Sequence, residues 1–237
     1  MRHRLRPYGK LPVISQRAKK LNRSNAMAKK NLQNISFYFI TDREISDKDE
    51  ITQVKEALRG GANIIQYRDK NSSKEVLLQT ASKLKEICDE KNAIFIINDY
   101  VDIAYTVDAD GVHIGQDDMA YEQARNLIKD KIIGVTVHNV EEAVKAETMG
   151  ADYLGVSPIF STSTKKDAGK AIGLELLKEI KKSVSIPIAA IGGINTDNVD
   201  SVIKAGADSV CAISATVIGD IASKVSFFVN KLKMKGN

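Results

Sequence analysis

The stretch GADYLGVS, residues 150–157, joins two segments whose patterns differ. Before it, residues 140–149 place apolar side chains every three or four positions, as an amphipathic helix does, whereas YLGVS is a short apolar run typical of a buried strand. A glycine at such a joint can take the left-handed conformation that ends a helix, and the residues after it turn the chain into the strand. The stretch therefore predicts a helix followed directly by a strand.

The same joint recurs along the chain, as Gly61-Ala62-Asn63-Ile64, Ala109-Asp110-Gly111-Val112 and Gly206-Ala207-Asp208-Ser209. Eight apolar runs alternate with amphipathic segments such as residues 73–91, 140–149 and 196–205. The runs are FYFIT (37–41), NIIQYR (63–68), AIFIIND (93–99), GVHIG (111–115), IIGVT (132–136), YLGVS (153–157), IPIAAIGG (186–193) and SVCAIS (209–214). Eight βα units in little over 200 residues predict an α/β fold, a single (β/α)8 TIM barrel, rather than an open doubly wound sheet of fewer strands.

The charge of the chain is unevenly distributed. The net charge is +5, but residues 1–30 hold ten of the 35 basic side chains and no acid, which leaves 25 basic against 30 acidic side chains in the rest. We therefore expect no nucleic-acid partner. Ser24-Asn25-Ala26 before Met27 resembles the remnant of an expression tag, so residues 1–26 are predicted to be an N-terminal extension, tag-derived or disordered, and residues 27–237 the barrel domain. A targeting peptide or RNA-binding arm is the alternative for the extension.

Hydropathy and cysteine usage indicate the cellular location of the protein. No run reaches the ~18 to 20 apolar residues of a membrane span, so we expect no membrane partner. Cys88 and Cys211 have no metal-binding or redox spacing and lie among apolar neighbours, which predicts buried, reduced thiols in a cytoplasmic protein. The sequence leaves the oligomeric state open, with a homo-oligomer as one alternative.

In a barrel of this kind the loops after the strands build the site, while the opposite rim serves stability. The period of two after strand two places Gln66, Arg68 and Lys70 on one face, and two cations at the barrel mouth favour a bound anion over solvated surface charge. Asp99 and Asp118 follow adjacent strands. Salt bridges and helix caps are alternatives for these acids, but their position beside two cations favours Mg²⁺.

Two further loops complete the predicted site. In FSTSTKKDAGKAIG, residues 160–173, Thr162, Thr164 and Lys165 offer closely spaced donors, and Gly169 and Gly173 let the segment move; a solvated loop is the alternative. Gly193 after strand seven, with Ile213 and Ser214 at the end of strand eight before a helix start near Thr216, matches a phosphate cup, although the glycine could serve only close packing.

These features predict a charged site for a metal-bound pyrophosphate and a neutral cup for a monophosphate. They offer no equally good nucleophile. His113 lies within a strand and is expected to be a hydrogen-bonded core residue. His138 lies at a strand end, where a catalytic role and a structural or capping role are both open.

The motifs and their order resemble those of the thiamine-phosphate synthase family. The match runs from YFITDR at Tyr38 to about Ser214, and includes QYRDK (66–70), INDYVDIAYTVDADGVHIGQDD (97–118), DYLGVSPIFSTSTKKDA (152–168) and IPIAAIGGI (186–194). The resemblance implies a (β/α)8 barrel and a transferase that joins 4-amino-2-methyl-5-hydroxymethylpyrimidine diphosphate to 4-methyl-5-(2-hydroxyethyl)thiazole phosphate. The products are thiamine phosphate and pyrophosphate, formed by a dissociative, carbocation mechanism.

The resemblance also implies roles for individual residues. Asp99 and Asp118 would hold one Mg²⁺, and Gly193, Ile213 and Ser214 would bind the thiazole phosphate. The other substrate-binding residues would be Gln66, Arg68, Lys70, Asn98, Thr136, Thr162, Thr164 and Lys165, of which Arg68, Lys70, Thr136 and Lys165 would be catalytic.

The chain departs from the family pattern at a few positions. Tyr67 and Asp69 replace the usual Leu and Glu, Ser157 and Ser161 replace a common Gly and Pro, and Thr136 stands where Ser is usual. Two alternatives stay open at this point. One is a thiazole tautomerase-like relative, which needs a base such as His138, and the other is a non-catalytic barrel that binds phosphate ligands.

Overall fold

The computed structural model describes residue 32 and residues 35–164 and 169–234. The predicted N-terminal extension, residues 1–26, lies outside the described residues. Eight parallel strands form one sheet in sequential order. They are β1 (Tyr38–Ile40), β2 (Ile64–Tyr67), β3 (Ile94–Asn98), β4 (Gly111–Ile114), β5 (Ile132–Val137), β6 (Tyr153–Val156), β7 (Ile188–Ile191) and β8 (Ser209–Cys211). A parallel bridge between Phe37 and Val210 brings β8 round to β1, and the predicted barrel is confirmed.

Helices follow the strands around the outside of the barrel. They are α1 (Glu50–Arg59), α2 (Lys74–Glu90), α3 (Val101–Thr106), α4 (Tyr121–Ile128), α5 (Val140–Met149), α6 (Gly173–Ser183), α7 (Val199–Lys204), α8 (Ile213–Thr216) and α9 (Ile221–Lys233). The prediction for residues 140–149 is confirmed. That for residues 73–91 differs by one residue at each end, because Ser73 is the N-cap and Lys91 is the C-cap. The helix predicted over residues 196–205 is shorter. The side chain of Asn195 accepts hydrogen bonds from the backbone N–H groups of Asp197 and Asn198, so these residues form a turn and the helix begins only at Val199.

Three of the four repeated joints end as predicted, on a glycine with positive φ: Gly61 at 96°, Gly150 at 95° and Gly206 at 108°. The fourth joint differs. There Asp108 takes the left-handed conformation, with φ at 53°, and Gly111 is the first residue of β4. A Cβ atom on Gly111 would lie 2.3 Å from the carbonyl oxygen of Ile132, so this glycine serves close strand packing rather than the turn.

The polar residue of each joint explains why the pattern repeats. Its side chain accepts a hydrogen bond from a backbone N–H at or just before the start of the preceding strand, and so satisfies that backbone donor. The pairs are Asn63 with Ser36 (3.1 Å), Asp110 with Phe95 (2.8 Å), Asp152 with Ile133 (3.0 Å) and Asp208 with Ile188 (2.9 Å). All four lie at the amino-terminal rim of the barrel, so they stabilise the rim opposite the predicted site.

Two apolar layers form the core. One lies between the strands and the helices, and it includes Cys88, whose thiol is fully buried. The other fills the barrel interior with the side chains of Tyr38, Ile40, Ile64, Ile94, Ile96, Ile132, Tyr153, Ala189 and Cys211. Within the described residues, no helix has the length and apolar character needed to cross a bilayer.

Candidate functional site

A cavity opens at the carboxyl ends of the strands, above the apolar interior layer. All the predicted site residues that the structure describes line it: Gln66, Arg68, Lys70, Asn98, Asp99, Asp118, Thr136, Thr162, Thr164, Gly193, Ile213 and Ser214. Lys165, the remaining predicted residue, lies outside the described residues. The strand period of two accounts for the arrangement, because alternate side chains of each strand point into the barrel.

Arg68 and Lys70 bring two cations to one wall of the cavity. The Arg68 guanidinium lies 3.1 Å from the carboxylate of Asp42, and the Lys70 ammonium lies 3.0 Å from that of Asp99. Burial by itself lowers the pKa of Lys70, but the contact with Asp99 outweighs it and the pKa is raised. Lys70 is therefore a permanent cation beside the paired acids.

Asp99 and Asp118 converge, as the sequence predicts. Burial is the largest cause that raises the pKa of Asp99, and the adjoining Asp118 carboxyl raises it further, against the opposing effect of Lys70. Asp118 also accepts a hydrogen bond of 2.7 Å from the backbone N–H of Gly115, which fixes its loop. A cation between the carboxylates would relieve their repulsion, so the residues fit Mg²⁺, which typically takes one or two carboxylates. Within the described ranges, no three or more His, Cys, Asp or Glu side chains cluster as a metal site, so Asp99 and Asp118 stand as a pair.

A chain of hydrogen bonds crosses the barrel along the floor of the cavity. Its successive contacts are Gln66 to Tyr38 (2.9 Å), Tyr38 to Tyr153 (2.6 Å), Tyr153 to His113 (2.9 Å) and His113 to Thr136 (2.8 Å). Both phenols are buried, and burial is the main reason why their pKa values are raised, which keeps them neutral. His113 is thus hydrogen bonded, as predicted, but it is only half-buried and lines the cavity, so the prediction of a core position is wrong. The two tyrosines were missed because 115 residues separate them, and no local pattern brings them together.

His138 has a capping partner. Its Nδ1 atom lies 3.0 Å from the carboxylate of Glu142, and its backbone N–H donates to the same carboxylate over 2.8 Å. Its neighbour Asn139 is the N-cap of α5. His138 nevertheless lines the cavity. It therefore makes a capping contact and also lies where it could contact a substrate.

The loop after β6 is tied down at both ends. Ile172 and Gly173 donate from their backbone N–H groups to the carbonyls of Pro158 and Ile159, over 2.9 and 3.1 Å. Within the loop, Thr162 accepts a hydrogen bond of 3.2 Å from the backbone of Thr164. Gly173 has φ at 76° and would have no neighbour within 4 Å of an added Cβ, so backbone conformation rather than space favours glycine there.

The residues predicted to form a phosphate cup, Gly193, Ile213 and Ser214, lie together on the cavity wall, with one correction to their secondary structure. β8 ends at Cys211, so Ile213 and Ser214 belong to the single helical turn of α8 rather than to the strand, and the helix does not start near Thr216 but ends there. Gly193 has φ at 62°, and an added Cβ would lie 2.6 Å from the carbonyl oxygen of Ser161. Gly193 therefore does allow close packing against the loop after β6. Because it has no side chain, its backbone is exposed at the cavity wall.

Tyr67 and Asp69, two residues that depart from the family pattern, are hydrogen bonded to one another. The Tyr67 hydroxyl donates to the Asp69 carboxylate over 3.4 Å, and the other oxygen of Asp69 accepts from the backbone N–H groups of Asn71 and Ser72. The phenol thus reaches the shorter acid, and the turn between Arg68 and α2 stays closed.

Comparison with known proteins gives consistent matches. The family model described as thiamine monophosphate synthase matches residues 37–216. The chain is 48% identical over 204 residues to a thiamine-phosphate synthase of Methanosarcina barkeri, covering 85% of this chain and 92% of the relative. It is 49% identical over 210 residues to that of Methanosarcina mazei, covering 87% of each. Among solved structures, a thiamine phosphate pyrophosphorylase from Pyrococcus furiosus superposes with a TM-score of 0.82 at 41% identity, covering 87% of this chain and all of that one.

Proposed function

The chain belongs to the thiamine monophosphate synthase family, a family of transferases that form thiamine phosphate, and we propose that the cavity at its carboxyl-terminal rim carries out this transfer. The resemblance drawn from the sequence is thereby confirmed. The proposed substrates are 4-amino-2-methyl-5-hydroxymethylpyrimidine diphosphate and 4-methyl-5-(2-hydroxyethyl)thiazole phosphate.

The proposed reaction is dissociative. The bond between the exocyclic methylene carbon of the pyrimidine and the diphosphate oxygen breaks, and its electron pair leaves with pyrophosphate. The electron-rich aminopyrimidine stabilises the resulting cation. The lone pair of the thiazole nitrogen then forms the new carbon–nitrogen bond, so no protein nucleophile is needed.

The residues of the charged wall stabilise the leaving group. Arg68 and Lys70 face the cavity as cations, and preorganised charges of this kind are typically worth about 10² to 10³ in rate. Asn98 donates to the same group, Gln66 contacts the substrate, and Thr136 lies near the pyrimidine or the pyrophosphate. In this proposal, Thr162, Thr164 and Lys165 close over the pyrophosphate and exclude water from the cation.

Asp99 and Asp118 would hold a single Mg²⁺, which when bound supplies positive charge to the departing pyrophosphate. The protein's own contribution is to hold two carboxylates together despite their repulsion, with Lys70 beside one and the Gly115 backbone against the other. Gly193, Ile213 and Ser214 would receive the thiazole phosphate in the neutral cup. We further propose that the protein acts in the cytoplasm, in keeping with its two buried free thiols.

The observation that carries this proposal is the convergence of two cations and two carboxylates on one cavity that also contains a neutral backbone cup. A tautomerase needs a base and has no use for the charged wall. A binding protein has no need for the adjoining acids, whose repulsion costs stability.

Calorimetric titration with the pyrimidine diphosphate, with Mg²⁺ and again with excess EDTA, tests the proposal. We expect tight binding only with Mg²⁺, and weak binding of the corresponding monophosphate under both conditions. Metal-independent binding of the diphosphate would favour the binding-protein alternative. Failure to bind the diphosphate, together with binding of the thiazole phosphate, would favour the tautomerase.

A further inference from the structure

Asp42 is a buried acid that contacts a proposed active-site residue from behind. It directly follows Thr41 at the end of β1, it is 2% exposed, and it is absent from the cavity lining. Its Oδ2 atom lies 3.1 Å from Nη1 of Arg68. A buried carboxylate is costly unless it is paired and hydrogen bonded, so the position needs a reason.

The backbone and carboxylate of Asp42 are both fixed. The fully buried amide of Gln53 accepts from the Asp42 N–H over 3.1 Å and donates to the Asp42 carbonyl over 3.2 Å. The Oδ1 atom of Asp42 accepts from the backbone N–H groups of Glu44 and Ile45, over 3.0 and 3.1 Å. With one oxygen held by the turn, the other is directed at the guanidinium.

Arg68 forms hydrogen bonds with the two residues that follow β1, Thr41 and Asp42. Its backbone N–H donates to the hydroxyl of Thr41 over 3.0 Å, and its side chain donates to Asp42. Asp42 contacts only one of the three guanidinium nitrogens, so the ion pair fixes the direction of the side chain while the planar group still faces the cavity.

We propose that Asp42, held by Gln53, is a positioning residue that sets the Arg68 guanidinium in place for pyrophosphate. The inference rests on the proposed function, in which Arg68 contacts the leaving group. An unrestrained arginine loses rotamer freedom when it binds an anion, and a side chain that is already fixed avoids that loss. Asp42 touches neither substrate and acts through Arg68.

The sign of the effect separates positioning from simple charge. Removing a negative charge from beside Arg68 should, by Coulomb's law alone, tighten the binding of an anion. Positioning predicts the reverse, because the freed arginine must be ordered again each time that pyrophosphate binds.

The experiment is a double-mutant cycle with inorganic pyrophosphate and Mg²⁺ as the probe, read by calorimetry and by kcat/KM of the full reaction. The variants are Asp42→Asn, Arg68→Ala and the double variant. Asparagine keeps an oxygen that can close the turn of residues 42–45 and removes only the charge. Asp152→Asn is the matched control, because Asp152 also accepts a backbone N–H (3.0 Å) and pairs with an arginine, Arg125 (2.9 Å), but at the opposite rim.

We expect Asp42→Asn to weaken pyrophosphate binding by about tenfold in the wild-type background and by less than about twofold with Arg68→Ala. Asp152→Asn should lower Tm while leaving pyrophosphate binding intact. Tighter or unchanged binding in Asp42→Asn, an equal loss in both backgrounds, or an equal loss in Asp152→Asn would overturn the inference.

The same cycle distinguishes a failure of the proposed function. Normal pyrophosphate binding and turnover in Arg68→Ala would remove Arg68 from the proposed site, and the role of Asp42 with it. If Asp42→Asn does not fold, Asp42→Ser replaces it, since a serine hydroxyl can close the same turn. The expected and contradicting outcomes are unchanged.

Discussion

The Nε2 atom of His113 lies 2.8 Å from the hydroxyl oxygen of Thr136, and its Nδ1 atom lies 2.9 Å from the hydroxyl of Tyr153. The imidazole therefore links a buried phenol to a hydroxyl that faces the cavity. Because each hydrogen bond fixes which atom of the next group donates, the orientation of the Thr136 hydroxyl depends on the whole chain back to Gln66.

The first prediction concerns the chain of hydrogen bonds from Gln66 to Thr136. Tyr153→Phe keeps the ring but removes the hydroxyl between Tyr38 and His113, so the orientation of Thr136 is no longer fixed. We expect kcat to fall by about tenfold, with a circular dichroism spectrum like that of the wild type. Tyr105→Phe, at a tyrosine that is 60% exposed on α3, is the control and should leave kcat intact. Equal kcat values for the two variants would show that these hydrogen bonds have no role in turnover.

The second prediction concerns the repulsion between Asp99 and Asp118. Because the pKa of Asp99 is raised in the folded protein, folding binds protons and metal-free stability falls as pH rises above the ordinary value of 3.8. Asp118→Asn should therefore raise the Tm of the metal-free protein at neutral pH, abolish the Tm increase caused by Mg²⁺, and lower kcat by at least about tenfold. Thermal melts with Mg²⁺ and with EDTA, beside turnover, check this. A lower metal-free Tm would contradict the repulsion.

The third prediction concerns the loop after β6. Lys165→Ala should leave the fold intact and lower kcat by at least about tenfold, because the ammonium is proposed to act on the departing charge. The comparison is Lys170→Ala in the same loop, an exposed lysine to which we assign no role. Steady-state kinetics with both substrates measure the effect. Near-normal turnover in Lys165→Ala would remove this lysine from the proposed clamp.

The fourth prediction concerns the thiols. Burial raises the pKa of the Cys88 thiol to about 12, with a further contribution from Asp110, and burial also raises that of Cys211. Both thiols should therefore stay protonated at pH 8 and react with a thiol reagent such as DTNB only after the protein unfolds. Rapid reaction of either thiol in the native protein would show that the burial is incomplete in solution.

The strands and the charged wall of the site could be predicted from the sequence because their signals are local. Apolar runs mark the strands, and the period of two places Gln66, Arg68 and Lys70 on one face. The boundary at Ile213 was wrong because residues 210–213 of SVCAIS, VCAI, are apolar without a break, and an apolar run does not reveal where a strand gives way to a helical turn.

The contacts behind the site could not be predicted. Asp42 and Arg68 are 26 residues apart, and Tyr153 lies 40 residues from His113. The pairing of β1 with β2 brings Asp42 beside Arg68, and the curvature of the barrel brings β4 and β6 together across β5, but no local pattern marks these side chains as partners. Asp108 in the left-handed conformation was likewise missed, because a glycine three positions later offered a more familiar way to end the helix.

The measurement that tests the central claim most directly is pyrophosphate release by the purified protein, with both substrates present and with each omitted, in Mg²⁺ and in EDTA. We predict release only when the enzyme, both substrates and Mg²⁺ are present, matched one to one by thiamine phosphate. Absence of release under every condition, from a protein that is folded by circular dichroism, would contradict the account.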